Sequence, residues 1–364
     1  MSRRLSSLAL LAASLLLLPG CIRQHGYAQI GGYAQGGTWT VKYNTDGVKP
    51  LPAEVQRGVE AILSDIDRTL SGYNRSSELS RLNAGDTIVP SQMLIGIYNR
   101  SQQIWEATDG AVDVAAGPLF DIWGFGFKSG ELPDDATVSA ALAVSGMGRL
   151  VPRMEDALLP DGCLCASRLL ASATTVVAAP TASVLSAIPQ LNFNAVAQGY
   201  SCDTVASYLS KLGVKDMLVD IGEILCRGVN ASGKPWRVGV DRPTDGNSTP
   251  GADLDGYWES AGTFDFQGIV TSGNYRKFYV RDGVKYAHTI DPRTGRPAEN
   301  NLLSATIVAP TAEQADALAT FCMVIGLNAA RDFIESQAQI EGYLIFRAPD
   351  GSMSEWASEG FNLK

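Results

Sequence analysis

Three side chains in the last third of the chain have the types and spacing for work on a phosphate ester. His288 is one of two histidines in the 364 residues, and it lies in the run Tyr286–Gly295 just ahead of an Asp291-Pro292 step. The residue before a proline is biased away from helix, so this histidine should be presented by a turn. Farther on, Thr311-x-x-Gln314 reads as a capping box, which predicts a helix carrying Asp316 and Thr320, four residues apart, on one face. A carboxylate and a hydroxyl on one helical face, with an imidazole brought in by a turn, can hold a hard cation beside a phosphate. The imidazole, with an ordinary pKa of ~6.5, can take the proton of an attacking hydroxyl. The plainer alternatives are a solvated helix face for Asp316 and Thr320 and a turn cap for His288.

The elements that must position these residues are legible from periodicity. Thr38–Tyr43 alternates as a strand, whereas Ala53–Leu70 places Val55, Val59, Ile62, Leu63, Ile66 and Leu70 at helical spacing. Ser91–Thr108 is a second amphipathic helix with Ser91 as its N-cap, and Asp135–Val144 a third. A helix through Asp203–Leu212, closed by Gly213, precedes strands at Met217–Ile221 and Trp236–Val240. Gly268–Thr271 is a strand, and Lys277–Val280 with Val284–Ala287 flank Arg281-Asp282-Gly283 as a hairpin. Leu303–Val308, the helix from Thr311 to Gly326, and a closing hairpin of Gly342–Phe346 with Ser352–Trp356 complete the chain. This order predicts an α+β fold, with mixed or antiparallel sheets and packed helices, rather than a doubly wound sheet. There is no Gly-x-Gly-x-x-Gly or Walker loop, so any nucleotide is held by another architecture.

Composition bounds the rest. With 45% apolar residues and 18% charged, the chain is ordinary for a globular protein, and a net charge of −9 argues against nucleic acid as a partner. Residues 1–20 read as a signal peptide, with Arg3 and Arg4 ahead of an apolar Leu8–Leu18 stretch too short to span ~30 Å of hydrocarbon. Leu18-Pro19-Gly20-Cys21 is similar to a bacterial lipoprotein signal, which would lipidate Cys21 and anchor the protein to a membrane of the cell envelope, facing the periplasm. Residues 21–37, rich in Gly, Gln and Tyr, then read as a flexible tether, leaving 38–364 as the working domain, in one piece or two packed lobes. Five further cysteines cannot all pair, and Cys163-x-Cys165 has no second ligand pair for a metal. Cys202 and Cys322 fall in helical patterns and should be buried thiols.

Between Ala111 and Gly126 aromatics and glycines alternate, so Trp123 and Phe125 serve either as stacking faces or as a core corner. Taken together, Asp113…Gly-Pro-Leu…Trp-Gly-Phe-Gly, Ala197-Gln198-Gly199-Tyr200 with Asp203, Gly222-Glu223-Ile224, Thr271-Ser272-Gly273-Asn274-Tyr275-Arg276, His288-Thr289-Ile290-Asp291-Pro292-Arg293-Thr294-Gly295 and Ala315-Asp316…Thr320 form an ordered series. From about Thr38 to the C-terminus this series resembles the FAD:protein FMN transferases, the ApbE family. The resemblance implies a magnesium-dependent enzyme that cleaves FAD and transfers FMN to a threonine hydroxyl of an exported flavoprotein, releasing AMP. It implies Mg²⁺ on Asp316, Thr320 and the Ala195 carbonyl, FAD contacts at Tyr73, Ala111, Val112, Asp113, Asn192, Gln198 and Ala287, and His288 as the group active in transfer. Acceptors of that family are usually flavoprotein subunits of membrane redox complexes. This chain departs from the family pattern at Asn192, Gln198 and Asn274, where ionisable residues are usual, and has Gly36 where a methionine is often found. Two other readings fit the same residues: a metal-dependent FAD pyrophosphatase giving free FMN and AMP, and a non-catalytic flavin-binding lipoprotein.

Overall fold

The computed structural model describes residues 26–126, 132–171, 190–245, 247, 249–263, 265–281 and 283–364, so the expected signal peptide and Cys21 lie outside the described residues. Fourteen strands are seen among them: β1 (Tyr27–Ala34), β2 (Gly37–Asn44), β3 (Met217–Asp220), β4 (Ile224–Arg227), β5 (Arg237–Asp241), β6 (Leu254–Glu259), β7 (Gln267–Gly273), β8 (Phe278–Arg281), β9 (Val284–Ala287), β10 (Ile290–Asp291), β11 (Arg296–Pro297), β12 (Leu302–Ala309), β13 (Glu341–Arg347) and β14 (Met353–Ala357). Eight of these form the central sheet, in the order β1-β2-β3-β4-β7-β12-β13-β14, and β5-β6, β8-β9 and β10-β11 form separate two-stranded ribbons. Every neighbouring pair in the large sheet is antiparallel.

The pleat sends successive side chains to opposite faces, and here both faces are covered. Met217 and Val219 of β3, Ile307 of β12 and Leu344 of β13 point to the helical face. Their neighbours Leu218, Val308, Tyr343 and Ile345 join Trp236, Trp258 and Phe361 under the β5-β6 ribbon on the other side. That double burial explains why β12 reads as a nearly continuous apolar run rather than an alternating one. On the helical face, Pro52–Leu70 starts with proline in its first turn and buries Val55, Val59, Leu63, Ile66 and Leu70, while helices Gln92–Ala107, Ala197–Lys211, Ala312–Ile325 and Leu327–Ser336 complete the layer. The α+β class with antiparallel sheets and packed helices is the observed one.

Two expectations about elements are corrected. Tyr27–Ala34, read as part of a flexible tether, is the edge strand β1, pairing residue for residue with β2 from Tyr27↔Asn44 to Ala34↔Gly37. Gln35 (φ 52°) and Gly36 (φ 81°) form its two-residue turn, a left-handed pair that favours hairpins but lacks the usual Asn-Gly lettering. The helix expected from Asp203 starts at Ala197, without a side-chain N-cap of its own, and its Gly199 amide is satisfied by Asp316 of a neighbouring helix. Strands β4 and β6 and the helix Leu327–Ser336 had no sequence counterpart, since each is short and half-polar.

Candidate functional site

The helix Ala312–Ile325 is the best-anchored part of the site. Thr311 Oγ1 accepts the Gln314 N–H at 3.1 Å, as the capping pattern predicts, and Asp203 from the adjacent helix accepts the Ala312 and Glu313 N–H groups, each at 2.9 Å. Two glycines let this helix start press inward. A Cβ on Gly199 would lie 2.3 Å from the Ala312 carbonyl oxygen, and one on Gly268 of β7 would lie 2.6 Å from the Ala312 Cα. One turn in, Asp316 is 5% exposed and accepts the Gly199 N–H at 3.2 Å. Gly199 is the third residue of its helix, where an amide has no acceptor within the helix, and Asp316 supplies one. Thr320, on the same helical face, stands with Oγ1 3.4 Å from Ser272 Oγ of β7.

Several acidic side chains gather here, and burial raises their pKa values. Burial pushes the Asp316 carboxyl up to about 7 against the opposing Gly199 amide, and the Glu313 and Asp203 charges add to the rise. Glu223, in the turn between β3 and β4, is pushed well above the ordinary carboxylate value by burial and by Asp316, with Arg276 opposing. Arg100 neutralises Glu313 at 2.8 Å. Among the described residues no group of three or more His, Cys, Asp or Glu side chains is arranged to hold a metal. The available donors are therefore one buried carboxylate, hydroxyls and main-chain carbonyls. Such an oxygen set suits a hard cation that keeps waters and substrate phosphate in its shell, and a buried carboxyl raised to about 7 is what such a cation would relieve, so the residues fit Mg²⁺.

His288 follows β9 and is fixed by one main-chain atom. The Lys277 carbonyl accepts the His288 backbone N–H at 3.1 Å and lies 3.1 Å from His288 Nδ1. A carbonyl only accepts, so Nδ1 carries the proton and Nε2 keeps its lone pair. Burial, then the Lys277 charge, lowers the His288 pKa below 6.5, which keeps the ring neutral at neutral pH. Its edge meets Phe125 at 6.4 Å, and from there a stack runs through Tyr279 (5.2 Å), Tyr286 (5.4 Å) and Trp123 (5.8 Å). Trp123 is buried and donates Nε1–H to the Gly295 carbonyl at 2.8 Å, so it is a core corner that braces the Asp-Pro turn.

A cleft of about 350 Å³ opens between the β1-β2 turn and the start of the Ala197–Lys211 helix, lined by Gln35, Asp67, Tyr73, Asn194, Gln198 and Lys277 among others. It unites Tyr73, which is 78% exposed at the lip, with Gln198. Gln198 Nε2 donates to the Ile221 carbonyl at 3.3 Å beneath Gly222 (φ +91°), where a Cβ would approach Nε2 to 2.4 Å. A carboxylate could not make that donation, and the same holds for Asn274, whose Nδ2 donates to the Leu302 carbonyl at 2.9 Å. The departure at Asn274, where the family pattern has a carboxylate, thus has a local physical reason.

The other predicted contacts separate. Ala111 and Val112 are buried and share an apolar cluster with Ala315, against which Ala195 packs, so any contact they make with a ligand is through backbone. Asp113 accepts the Ala115 N–H at 2.7 Å and the Met147 N–H at 3.0 Å, and burial pushes it up to about 6; its side chain pins two loops together. Asn192 takes part in the same bracing, donating its N–H to the Val114 carbonyl at 2.7 Å and accepting the Asn194 N–H at 3.0 Å. Ala287 lines a different cleft, of about 540 Å³, together with Asn274 and Tyr286. Sequence reasoning assigned no role to Asp203 as the cap, Glu223 as an acid whose pKa rises with that of Asp316, or Lys277 as the support of His288. The first two stood inside quoted motifs, whereas Lys277 followed one without any signal of its own.

The comparisons with known proteins agree on one group. Residues 35–344 match the ApbE family. The FAD:protein FMN transferase of Vibrio cholerae is 31% identical over 357 residues, 96% of either chain, and that of Escherichia coli is 32% identical over 319 residues, 85% of this chain and 81% of the other. Among solved structures, the flavin transferase ApbE from Vibrio cholerae superposes with a TM-score of 0.71 at 29% identity, covering 92% of this chain and 98% of the other. The apo form of Pseudomonas stutzeri flavinyl transferase ApbE gives 0.70 at 30% identity, covering 92% and 95%.

Proposed function

The chain belongs to the ApbE family, and from that premise we propose that it is an FAD:protein FMN transferase that moves FMN from FAD to a threonine hydroxyl, with Mg²⁺, and releases AMP. The observation that carries the reading is Asp316: a carboxyl sealed in the core, raised to about 7, sharing a helical face with Thr320 and accepting the Gly199 amide at the start of the helix that Ala195 precedes. Asp316, Thr320 and the Ala195 carbonyl would hold the cation, which supplies charge neutralisation for the diphosphate.

The chain's own groups account for the remaining chemistry. Tyr73 and Gln198 frame the cleft for the dinucleotide. The threonine oxygen attacks the phosphorus on the FMN side, forming a phosphoester, while the bond from that phosphorus to the bridging oxygen breaks. The bridging oxygen keeps the electron pair and leaves on AMP, and the hydroxyl proton passes to His288 Nε2. The lowered pKa of His288 keeps Nε2 free to accept it at neutral pH.

The acceptor is then a threonine-bearing domain of an exported flavoprotein, a membrane redox subunit being the natural client of an enzyme tethered through Cys21. Support for the tether is the leader itself, with its basic start, short apolar stretch and Leu18-Pro19-Gly20-Cys21. The test incubates the protein with FAD, Mg²⁺ and such a domain and examines a denaturing gel for flavin fluorescence. Fluorescent acceptor supports transfer. Free FMN with unlabelled acceptor makes the protein a pyrophosphatase, and intact FAD makes it a carrier.

A further inference from the structure

We propose that Lys277 is the cationic contact to the diphosphate of the bound dinucleotide and, through its carbonyl, the positioning residue that fixes the tautomer of His288; this rests on the transferase reading above. Two independent observations meet in this residue. Lys277 lines the same cleft as Tyr73 and Gln198, and its carbonyl is the atom that holds both the His288 N–H and Nδ1. It is thus the residue that connects the cleft to the base.

The surrounding charges leave its ammonium available. Arg276, the preceding residue, is paired with Asp241, and Lys285 on β9 is paired with Asp245 at 2.5 Å, whereas the described residues give Lys277 no ion pair. Asp67, the carboxylate that lines the cleft, is engaged by Asn74 Nδ2 at 2.7 Å. Lys277 is exposed and lines the cleft proposed for the dinucleotide, and an ammonium is a compact point charge suited to phosphate oxygens. It would offset charge that collects on the bridging oxygen as the bond to AMP breaks. Because the tautomer is set by the main chain and the phosphate contact by the side chain, substitution separates the two roles.

The test uses Lys277→Met and Lys277→Arg in the full chain, with FAD as the probe. The Met variant should bind FAD roughly tenfold to a hundredfold more weakly, and the Arg variant should recover most of that. The wild-type affinity should fall with salt more steeply than that of Lys277→Met, because one phosphate contact has been removed. In labelling assays the acid limb of the pH profile should move to higher pH in the Met variant, since the charge that lowers the His288 pKa is gone. Wild-type FAD affinity in Lys277→Met, or a weakened affinity with the wild-type salt dependence, would overturn the proposal. Failure of the wild-type protein to label any acceptor would instead overturn the transferase reading, leaving the FAD and salt comparison to decide Lys277 by itself. If the Met variant does not fold, the Arg variant and the wild-type salt series carry the decision: insensitivity of FAD affinity to salt refutes the contact.

Discussion

Around the start of the Ala312–Ile325 helix, burial works against the charged form of the acids; along the β8-β9 ribbon, beside a neutral His288, basic side chains stand exposed. On the first side Asp203, Glu313, Asp316 and Glu223 all have raised pKa values with burial as the leading cause, and the backbone around Ala312 is pressed between two glycines. On the second, Lys277 and Arg281 are exposed, and an aromatic stack supports the imidazole from beneath. Under the reaction proposed above, the two regions would meet opposite demands: acids withdrawn from water on the cation's side, and a base that an acceptor can reach on the other.

Substitutions should separate the sides. Asp316→Ala removes the buried carboxylate, so labelling should fall by roughly 10³-fold or more and respond little to added Mg²⁺. A variant that keeps the wild-type metal dependence would break the comparison at its rigid end. His288→Gly should lose ~10²–10⁴-fold in labelling rate with FAD binding retained in an equilibrium titration. Loss of FAD binding in that variant would make the surface side a binding element rather than a catalytic one. Gly199→Ala places a methyl against the Ala312 backbone and should cost ~1–3 kcal/mol in a denaturant titration, with the midpoint shifted and the slope unchanged.

The pH dependence of stability follows from the same contrast. Asp316 titrates near 7 and Asp203 near 6, both above the ordinary carboxylate value of 3.8. The folded protein therefore binds more protons than the unfolded chain between those values, and stability falls as pH rises through that window. Metal-free protein should melt at a higher temperature at about pH 5 than at about pH 7.5, and Asp316→Asn should flatten that slope. The smallest effect is expected from Trp123→Phe, which loses one buried hydrogen bond to Gly295 worth ~1 kcal/mol and should leave labelling nearly unchanged.

Much of this arrangement was legible before any coordinates, for reasons that are local. The Thr311 cap and the four-residue spacing of Asp316 and Thr320 depend only on helical geometry, and both appear as expected. What escaped was tertiary in origin. The Ala197 helix begins without a capping side chain of its own, and Asp316 accepts the Gly199 amide from 117 residues away in sequence. The family resemblance implies a ligand contact at Asp113, and the structure adds a bracing role that no spacing rule links to it, since its oxygens accept the Ala115 and Met147 N–H groups. Lys277 was overlooked because its role runs largely through a carbonyl, which every residue possesses.

Were the chain anchored at Cys21, the pairing of Tyr27–Ala34 along the sheet margin would also limit how far the enzyme could roam. With Cys21 as the lipidated residue proposed above, only five residues lie between the acylated position and the first paired one. Even fully stretched, those links cover no more than ~20 Å. The body would then ride close against the headgroups, and its clients would have to present their threonine within that shallow layer.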